Sequence, residues 1–459
     1  MKEFMGTNRV NRVRGALLGV LAMTVAGIPG PRAWAGEFET LMAQGKDAIT
    51  IQKYAEGEEL FAKALKLKPG HPEALYGAGM CSLNRGSVAK ATDYFHEVLK
   101  QTYSDKALEG FHTLAMMRLG EIYIGKGKAE EAAKIYSQGV RNDSGNPEMH
   151  YGYGLALRMR GLNELSLQQF EQALQLDPKH AGAHIGKGAV LFDMGKVPEA
   201  FAELELAIKA APNLPTPYGV MSRFYADLQK PYEENMMLGS YYYGMAQYKQ
   251  AEKSYRTALA KKDTGEVRHT LGSTLAMMGK YREAEENLRK AISMGVKPED
   301  PAWAGLSNVL SKKGDFKEAR KAIMKAIKLN GLITAYHSQL AWICLQMGDM
   351  EGAEAAARKS MEVQPGNPVA LRYLGDVFNQ RGKPREAIEA YEKCLSADPR
   401  SYPDVYVNLG WAYEQAGDFV SARRNYRTFV KMEPDPEVRE KVNAQIKALE
   451  QREKKGSKK

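Results

Sequence analysis

Apolar residues recur about every three to four positions in two short runs within residues 403–436, and a polar Gly-Asp turn separates the runs. This spacing places apolar side chains on one face of a helix, so the segment is predicted to form two helices. Gly410 in the first run and Ala422 in the second are small enough for two antiparallel helices to approach closely. Tyr413 and Tyr426 would fill the space beside that crossing. One pair of helices cannot bury its apolar faces alone, so further pairs are expected along the chain.

The same pattern recurs through most of the sequence, with a small residue in each first helix and an Ala or aromatic residue in each second helix. The residues that carry it are Gly375 with Ala387 and Tyr391, Ala341 with Ala353, Ser307 with Ala319, Gly272 with Ala284, Gly239 with Ala251 and Tyr255, Gly188 with Ala200, Gly154 with Phe170, Gly120 with Ala132 and Tyr136, Gly79 with Ala91 and Phe95, and Gly45 with Phe61. The pattern resembles the tetratricopeptide repeat (TPR) family, whose repeat of about 34 residues combines a Leu-Gly-x-x-Tyr first helix with an Ala…Phe/Tyr second helix and a closing Pro.

The resemblance implies an all-α fold, a right-handed superhelical solenoid of about ten to eleven TPR helical hairpins in which each hairpin contacts its neighbours. We assign residues 36–214 to an N-terminal TPR lobe and residues 232–436 to a C-terminal TPR lobe. Residues 437–452 are predicted to form a capping helix, and residues 453–459 a basic tail.

Residues 215–231 interrupt the regular spacing and amount to half a repeat. Pro215 and Pro217 open a predicted helix, and Lys230-Pro231 ends it. Either a second helix has been lost there, or an extra helix is inserted into the stack. The first alternative is a deletion within a duplicated array, and the second is a kink that sets the two lobes at an angle. Both alternatives fit the sequence.

Residues 1–35 have the pattern of a Sec-type secretory signal peptide. A basic segment containing Arg9, Arg12 and Arg14 precedes a short apolar run, and Ala33-Trp34-Ala35 provides a small-x-small cleavage site. The run is shorter than the roughly 20 residues that span a membrane, which favours cleavage after Ala35 over an uncleaved anchor. The mature protein is therefore expected to be periplasmic or secreted, with no integral membrane span after signal removal.

The formal net charge of +10 is concentrated at the two ends of the chain. Residues 1–35 and residues 451–459 each carry a net +4, which leaves +2 for the repeats. A nucleic-acid-binding protein presents its positive charge as a stripe on the folded surface. Nucleic acid is therefore not an expected partner.

No catalytic, cofactor-binding or metal-binding motif stands out in the sequence. The Gly-Lys-rich segment 125–128 lies at a turn between two predicted helices, whereas a phosphate-binding loop follows a strand. His180 and His184 have a spacing that suits two metal ligands, but His180 falls in a loop and no third ligand stands near. The protein is predicted not to be an enzyme and to need no cofactor or metal.

In TPR proteins the concave wall is lined mainly by first helices, so the resemblance implies a set of partner-binding groove residues. The N-terminal lobe would present an apolar surface rich in Met and aromatic residues, and the C-terminal lobe a polar surface with two Trp. The candidates are Tyr76, Met80, Met117, Tyr151, Leu155, Met159, Ile185, Phe192, Met236, Tyr243, Asn308, Trp342, Arg372, Asp376, Asn379 and Trp411. Arg372 is expected to face Asp376 one turn on, which differs from the Lys/Asn pattern by which chaperone-binding TPR proteins hold a carboxylate.

By this resemblance we expect a non-catalytic protein-binding scaffold or adaptor of the bacterial cell envelope. Its groove would receive an extended peptide or an amphipathic helix from other components of an envelope complex. Similar exported TPR proteins assist polysaccharide export, pilus assembly and outer-membrane assembly. The alternative is a carbohydrate-contacting module of a polysaccharide export machine, in which Trp342 and Trp411 stack on sugars beside Asn308, Asn379 and Asp376.

Overall fold

The computed structural model describes residues 36–101 and 106–456. The predicted signal peptide and the last three residues of the predicted tail lie outside the described residues. The described residues form 24 α-helices and no β-strand. The prediction of an all-α fold is confirmed.

The helices follow one another along the chain. They are α1 Glu37–Thr50, α2 Tyr54–Leu67, α3 Pro72–Asn84, α4 Val88–Lys100, α5 Lys106–Gly125, α6 Ala129–Asn142, α7 Pro147–Met159, α8 Asn163–Leu176, α9 Ala181–Asp193, α10 Val197–Ala210, α11 Thr216–Asp227, α12 Pro231–Gly244, α13 Tyr248–Lys261, α14 Gly265–Met277, α15 Tyr281–Ser293, α16 Asp300–Lys312, α17 Phe316–Leu329, α18 Thr334–Gln346, α19 Met350–Val363, α20 Pro368–Gln380, α21 Pro384–Ala397, α22 Pro403–Gln415, α23 Phe419–Met432 and α24 Pro436–Gly456.

The chain divides into two compact units, one up to Phe224 and one from Tyr225 onward. The boundary lies inside α11, within the irregular segment 215–231. The last helix, α24, contains the segment predicted as a cap and continues to Gly456. None of the helices in the described ranges is long and apolar enough to span a membrane.

Glycines and buried rings determine how closely neighbouring helices pack. Phe170 of α8 is fully buried and lies between Gly154 of α7 and Gly186 of α9. A Cβ atom at Gly154 would lie 2.7 Å from Cε1 of Phe170, closer than van der Waals contact permits. Tyr136 of α6 lies in the same way between Gly120 and Gly152. In these two cases the buried ring of the second helix requires glycine in the first helix of its own hairpin and also in the first helix of the next hairpin.

The turn inside most hairpins contains a glycine with a left-handed backbone. Gly417, with φ 83°, fills this place between α22 and α23. Between α12 and α13 the equivalent residue is Ala246, with φ 57°. In both turns the residue's amide N–H donates to the carbonyl oxygen of the residue three positions earlier. Ala246 therefore adopts a conformation that costs an L-residue about 1–2 kcal/mol.

Replacement of Ala246 by glycine should stabilise the second unit. The variant Ala246→Gly relieves the strain of the left-handed conformation but raises the conformational entropy of the unfolded chain. We therefore expect the free energy of unfolding to rise by up to about 1 kcal/mol. The control is Ala260→Gly, at an exposed helical position of α13, which should lose about 1 kcal/mol. Urea unfolding of both variants checks the opposite signs, and a loss at both positions would contradict the assignment of strain to Ala246.

Three histidines attach a first helix to the loop that precedes it. The Nε2 atoms of His150, His184 and His337 lie 3.1, 3.2 and 2.9 Å from the carbonyl oxygens of Ser144, Pro178 and Gly331. His184 also bonds through Nδ1 to Glu203 at 2.6 Å, whereas Nδ1 of His180 accepts from the Ala183 amide at 2.9 Å. The two histidines with metal-ligand spacing are thus engaged with different partners.

The His184–Glu203 pair should make the stability of the first unit depend on pH. The hydrogen bond with Glu203 raises the pKa of His184, while burial opposes the rise. The pair's contribution is fully present below the unfolded histidine pKa of about 6.5 and is lost as the pH rises through the higher folded pKa. The destabilisation caused by Glu203→Gln should therefore be larger at about pH 5.5 than at about pH 8.5.

Urea unfolding at the two pH values measures this difference. Lys187 lies 3.0 Å from Glu203 and 3.4 Å from Glu171, and in the variant it loses the Glu203 charge at both pH values. Only the pH-dependent part of the destabilisation therefore reports on His184. Gln169→Ala, which removes a neutral partner of His150 in the preceding repeat, is the control variant. A destabilisation by Glu203→Gln that grows with rising pH would contradict the assigned role of the pair.

Candidate functional site

Three predicted groove residues belong to the core. Tyr76 and Met80 of α3 are buried, Met80 to 2% exposure, and Met236 of α12 is buried as well. The Tyr76 ring packs near Phe95 and Phe111, with centroid separations of 5.6 and 5.8 Å. The expectation that these residues line an open groove is corrected, because their side chains point between helices rather than outward.

The candidates outside the core and the C-terminal cavity are at least partly accessible. Met117, Tyr151, Leu155, Met159, Ile185 and Phe192 are half-buried, whereas Tyr243 and Asn308 are exposed. Phe192 is stacked on Phe224 with centroids 3.8 Å apart, so one face of its ring is covered. For these residues the groove stays a prediction.

Five candidates from the C-terminal lobe line one cavity of about 360 Å³. These five are Trp342, Arg372, Asp376, Asn379 and Trp411. They project from α18, α20 and α22, the first helices of three successive hairpins. Leu345, Gln346, Tyr373, Gln380, Tyr391 and Asn408 complete the wall. We call this space the Trp342–Trp411 cavity.

A buried hydrogen-bond network forms the floor of the Trp342–Trp411 cavity. Tyr391 of α21 donates to Oδ1 of Asp376 at 2.6 Å, and Nδ2 of Asn408 donates to the same oxygen at 3.2 Å. Nδ2 of Asn379 donates to the Tyr391 hydroxyl at 3.1 Å and to the Asn408 carbonyl at 3.4 Å. Because both partners accept a hydrogen bond, the nitrogen of the Asn379 amide must point toward them. Its oxygen, Oδ1, is left buried without a partner.

Arg372 forms an ion pair with Asp404 rather than with Asp376, which lies one turn on along the same helix. Its Nη2 atom lies 2.5 Å from Oδ2 of Asp404, at the start of α22 in the next hairpin. The guanidinium also lies over the Tyr373 ring, 5.6 Å from the centroid. Nε of Arg372 is buried without a hydrogen-bond partner. Arg372 therefore joins two successive hairpins and leaves one donor unused.

Burial dominates the electrostatics of the floor. It raises the pKa of the Asp376 carboxyl, although the hydrogen bond from Tyr391 and the nearby Arg372 oppose the rise. Burial likewise raises the pKa of the Tyr391 hydroxyl, and the adjacent Asp376 raises it further. Tyr391 thus stays a neutral donor to Asp376.

Two tryptophans form the accessible part of the cavity. Trp411 is 42% exposed, and Trp342 is half-buried with its ring edge-on to Phe316 at 5.9 Å. An indole offers a large apolar face that stacks on apolar or cationic groups. Among the residues that the structure describes, no group of three or more His, Cys, Asp or Glu side chains could hold a metal ion.

Comparison with known families decides the class of the chain. Sequence profiles described as Tetratricopeptide repeat match residues 42–107, 117–178, 154–215 and 339–402, and further profiles of that description match residues 264–297, 300–331 and 378–444. The chain belongs to the tetratricopeptide repeat family. The predicted membership of the TPR family and the predicted fold class, an all-α solenoid of TPR hairpins, are confirmed.

Curated relatives share parts of their length with this TPR chain. The Protein CTR9 homolog of Arabidopsis thaliana is 22% identical over 367 residues, which cover 78% of this chain and 28% of the relative. Trafficking protein particle complex subunit 12 of Homo sapiens is 26% identical over 151 residues, 32% of this chain and 20% of the relative. Cellulose synthase operon protein C of Pseudomonas fluorescens is 30% identical over 125 residues, 26% of this chain and 10% of the relative. The chain thus spans less than a third of each of these relatives.

Solved TPR structures resemble the chain at low identity. A chain of the APC/C hetero-tetramer Cut9–Hcn1 matches with a TM-score of 0.47 and 12% identity. The match covers 94% of this chain and 98% of that chain. YrrB, a TPR protein with an unusual peptide-binding site, matches with a TM-score of 0.32 and 20% identity, covering 38% of this chain and 85% of that one.

Proposed function

We propose that this TPR chain is a non-catalytic scaffold that binds a segment of a partner protein in the Trp342–Trp411 cavity. The observation that carries the proposal is the buried, unpaired Oδ1 of Asn379 at the floor of an open cavity rimmed by Trp411. A buried polar atom without a partner is costly, so a ligand that supplies the missing hydrogen bond binds favourably. The tryptophans provide the aromatic surface that is common at the anchors of protein interfaces.

The setting that we propose is the bacterial cell envelope, with the chain periplasmic or secreted. The signal-like pattern of residues 1–35 and the similarity of 125 residues to a bacterial cellulose synthase operon protein support this setting. The partners would be components of an envelope complex for polysaccharide export, pilus assembly or outer-membrane assembly.

Affinity capture with two variants tests the proposal. The variant Trp411→Ala removes an exposed rim residue and should leave the fold intact, while retention of the partner falls at least about tenfold. Val420→Ala, at a position that is 62% exposed on α23 and outside the cavity, is the control and should retain the partner. Equal retention by both variants would contradict the cavity as the binding site.

A carbohydrate ligand is the second candidate, because paired tryptophans beside Asp376, Asn379 and Asn408 also suit a sugar ring and its hydroxyls. Affinity electrophoresis in gels that contain soluble cellulose derivatives or other envelope polysaccharides separates the two. Retardation of the wild type that Trp342→Ala and Trp411→Ala abolish would favour the carbohydrate function over the protein-binding one.

A further inference from the structure

At the floor of the Trp342–Trp411 cavity, the polar atoms that can still form hydrogen bonds are acceptors. Asn379, only 9% exposed, donates both of its described hydrogen bonds through Nδ2 and keeps Oδ1 unpaired. Asp376, three residues earlier on α20, receives its two described hydrogen bonds at Oδ1. A ligand that complements this floor must therefore donate hydrogen bonds.

The charge of the floor is negative and is not neutralised by a direct contact. Asp376 receives hydrogen bonds only from the neutral groups Tyr391 and Asn408, and it makes no ion pair among the described residues. Arg372, the one basic residue among those that line the cavity, is paired with Asp404 at 2.5 Å. A buried carboxylate without a paired cation is unfavourable, so a cationic ligand would gain from contact with it.

The walls are suited to the stem of a long basic side chain. Trp342 and Trp411 line the same cavity as Asp376, and indole faces attract ammonium and guanidinium groups as well as apolar methylenes. A volume of about 360 Å³ accommodates one or two side chains but not a folded domain. The unpaired Nε–H of Arg372 calls for an acceptor, which the backbone carbonyl of a bound polypeptide supplies.

We propose that the Trp342–Trp411 cavity binds a Lys or Arg side chain of the partner polypeptide, with the cationic head at Asp376 and Oδ1 of Asn379. The stem lies against Trp342 and Trp411. This inference rests on the proposed function, since it names the chemistry of the segment that the scaffold holds.

A selection of phage-displayed random peptides on the full chain tests the inference. Peptides whose binding is lost in Trp411→Ala identify ligands of the cavity. In synthetic copies, each basic residue is replaced by norleucine, which keeps the stem and removes the charge. We expect one such replacement to weaken binding at least about tenfold, because it removes the cation from a desolvated carboxylate. This comparison changes the ligand alone and does not depend on how a protein variant folds.

The variant Asp376→Asn provides a second measurement on the protein side. It removes a buried charge while keeping an acceptor for Tyr391 and Asn408, so we expect binding to fall at least about tenfold without a loss of thermal stability. A merely structural role for Asp376 would lower stability and binding together.

The outcomes separate this inference from the proposed function. Trp411-dependent peptides that tolerate norleucine at every basic position would overturn the basic-residue inference and leave the scaffold function standing. If the selection yields no Trp411-dependent peptide, the proposed function and the inference both fail. Both would also fail if the cavity bound a neutral polysaccharide and no peptide.

Discussion

The variant Gly152→Ala should destabilise its hairpin by about 2 kcal/mol, although alanine is the better helix former. A methyl group at Gly152 would overlap the Tyr136 ring. The ring cannot retreat, because Gly120 lies against its opposite edge and a methyl group there would overlap it too. Overpacking of a core typically costs about 1–3 kcal/mol, and this site is at the upper end because both sides are closed. The gain in helix propensity of about 1 kcal/mol reduces the net cost to about 2 kcal/mol.

Gly305→Ala is the matched control for this prediction. Gly305 of α16 has the same relation to Leu288 that Gly152 has to Tyr136, but a Cβ atom there would lie 3.5 Å from Leu288, an ordinary contact. The control should therefore gain about 0.5–1 kcal/mol from helix propensity. Local opening free energies from amide hydrogen exchange measure both variants. Losses of similar size at the two positions would show that the ring does not determine the need for glycine.

Removal of one hydroxyl from the floor of the Trp342–Trp411 cavity should cost about 2 kcal/mol. The variant Tyr391→Phe keeps the buried ring but deletes the donor that lies 2.6 Å from Oδ1 of Asp376. A hydrogen bond to a charged group contributes about 1.5–3 kcal/mol. Tyr255→Phe, at the same position in another repeat, loses a neutral bond with Ser240 and should cost about 1 kcal/mol.

The cost of Tyr391→Phe should also shrink as the pH falls. Burial raises the pKa of Asp376 above its ordinary value, so the folded state pays for a buried carboxylate at neutral pH. Protonation removes this penalty as the pH falls through the folded pKa, and the missing donor then matters less. Urea unfolding at about pH 7 and about pH 4 measures the change. A cost that grows toward acid pH would contradict the role assigned to the Tyr391–Asp376 bond.

The repeat fold could be predicted because it depends on local spacing. Gly410 with Tyr426, or Gly154 with Phe170, stand at fixed separations, and these separations are set by the contact of two adjacent helices. It was harder to predict which residues of each helix face the core and which face the groove. Neighbouring residues on a helix are rotated by about 100°, so a small error turned Tyr76 and Met80 from core positions into groove positions.

The cavity was predictable in part for the same reason. Arg372, Asp376 and Asn379 recur at helical spacing on α20, and the two tryptophans stand in the first helices on either side. The Arg372–Asp404 pair and the contribution of Tyr391 were missed. Asp404 belongs to the next repeat, and the hydroxyl of a core ring gives no sequence signal of where it points.

Site-specific photocrosslinking from the cavity rim tests the scaffold claim most directly. A benzophenone amino acid replaces Gln380, an exposed residue that lines the cavity, in one full-length variant and Val420 in another, and both are irradiated in the cells that produce the chain. We expect the residue at position 380 to capture a defined partner protein and the residue at position 420 not to capture it. Equal capture at both positions, or capture at position 420 alone, would contradict the Trp342–Trp411 cavity as the binding site.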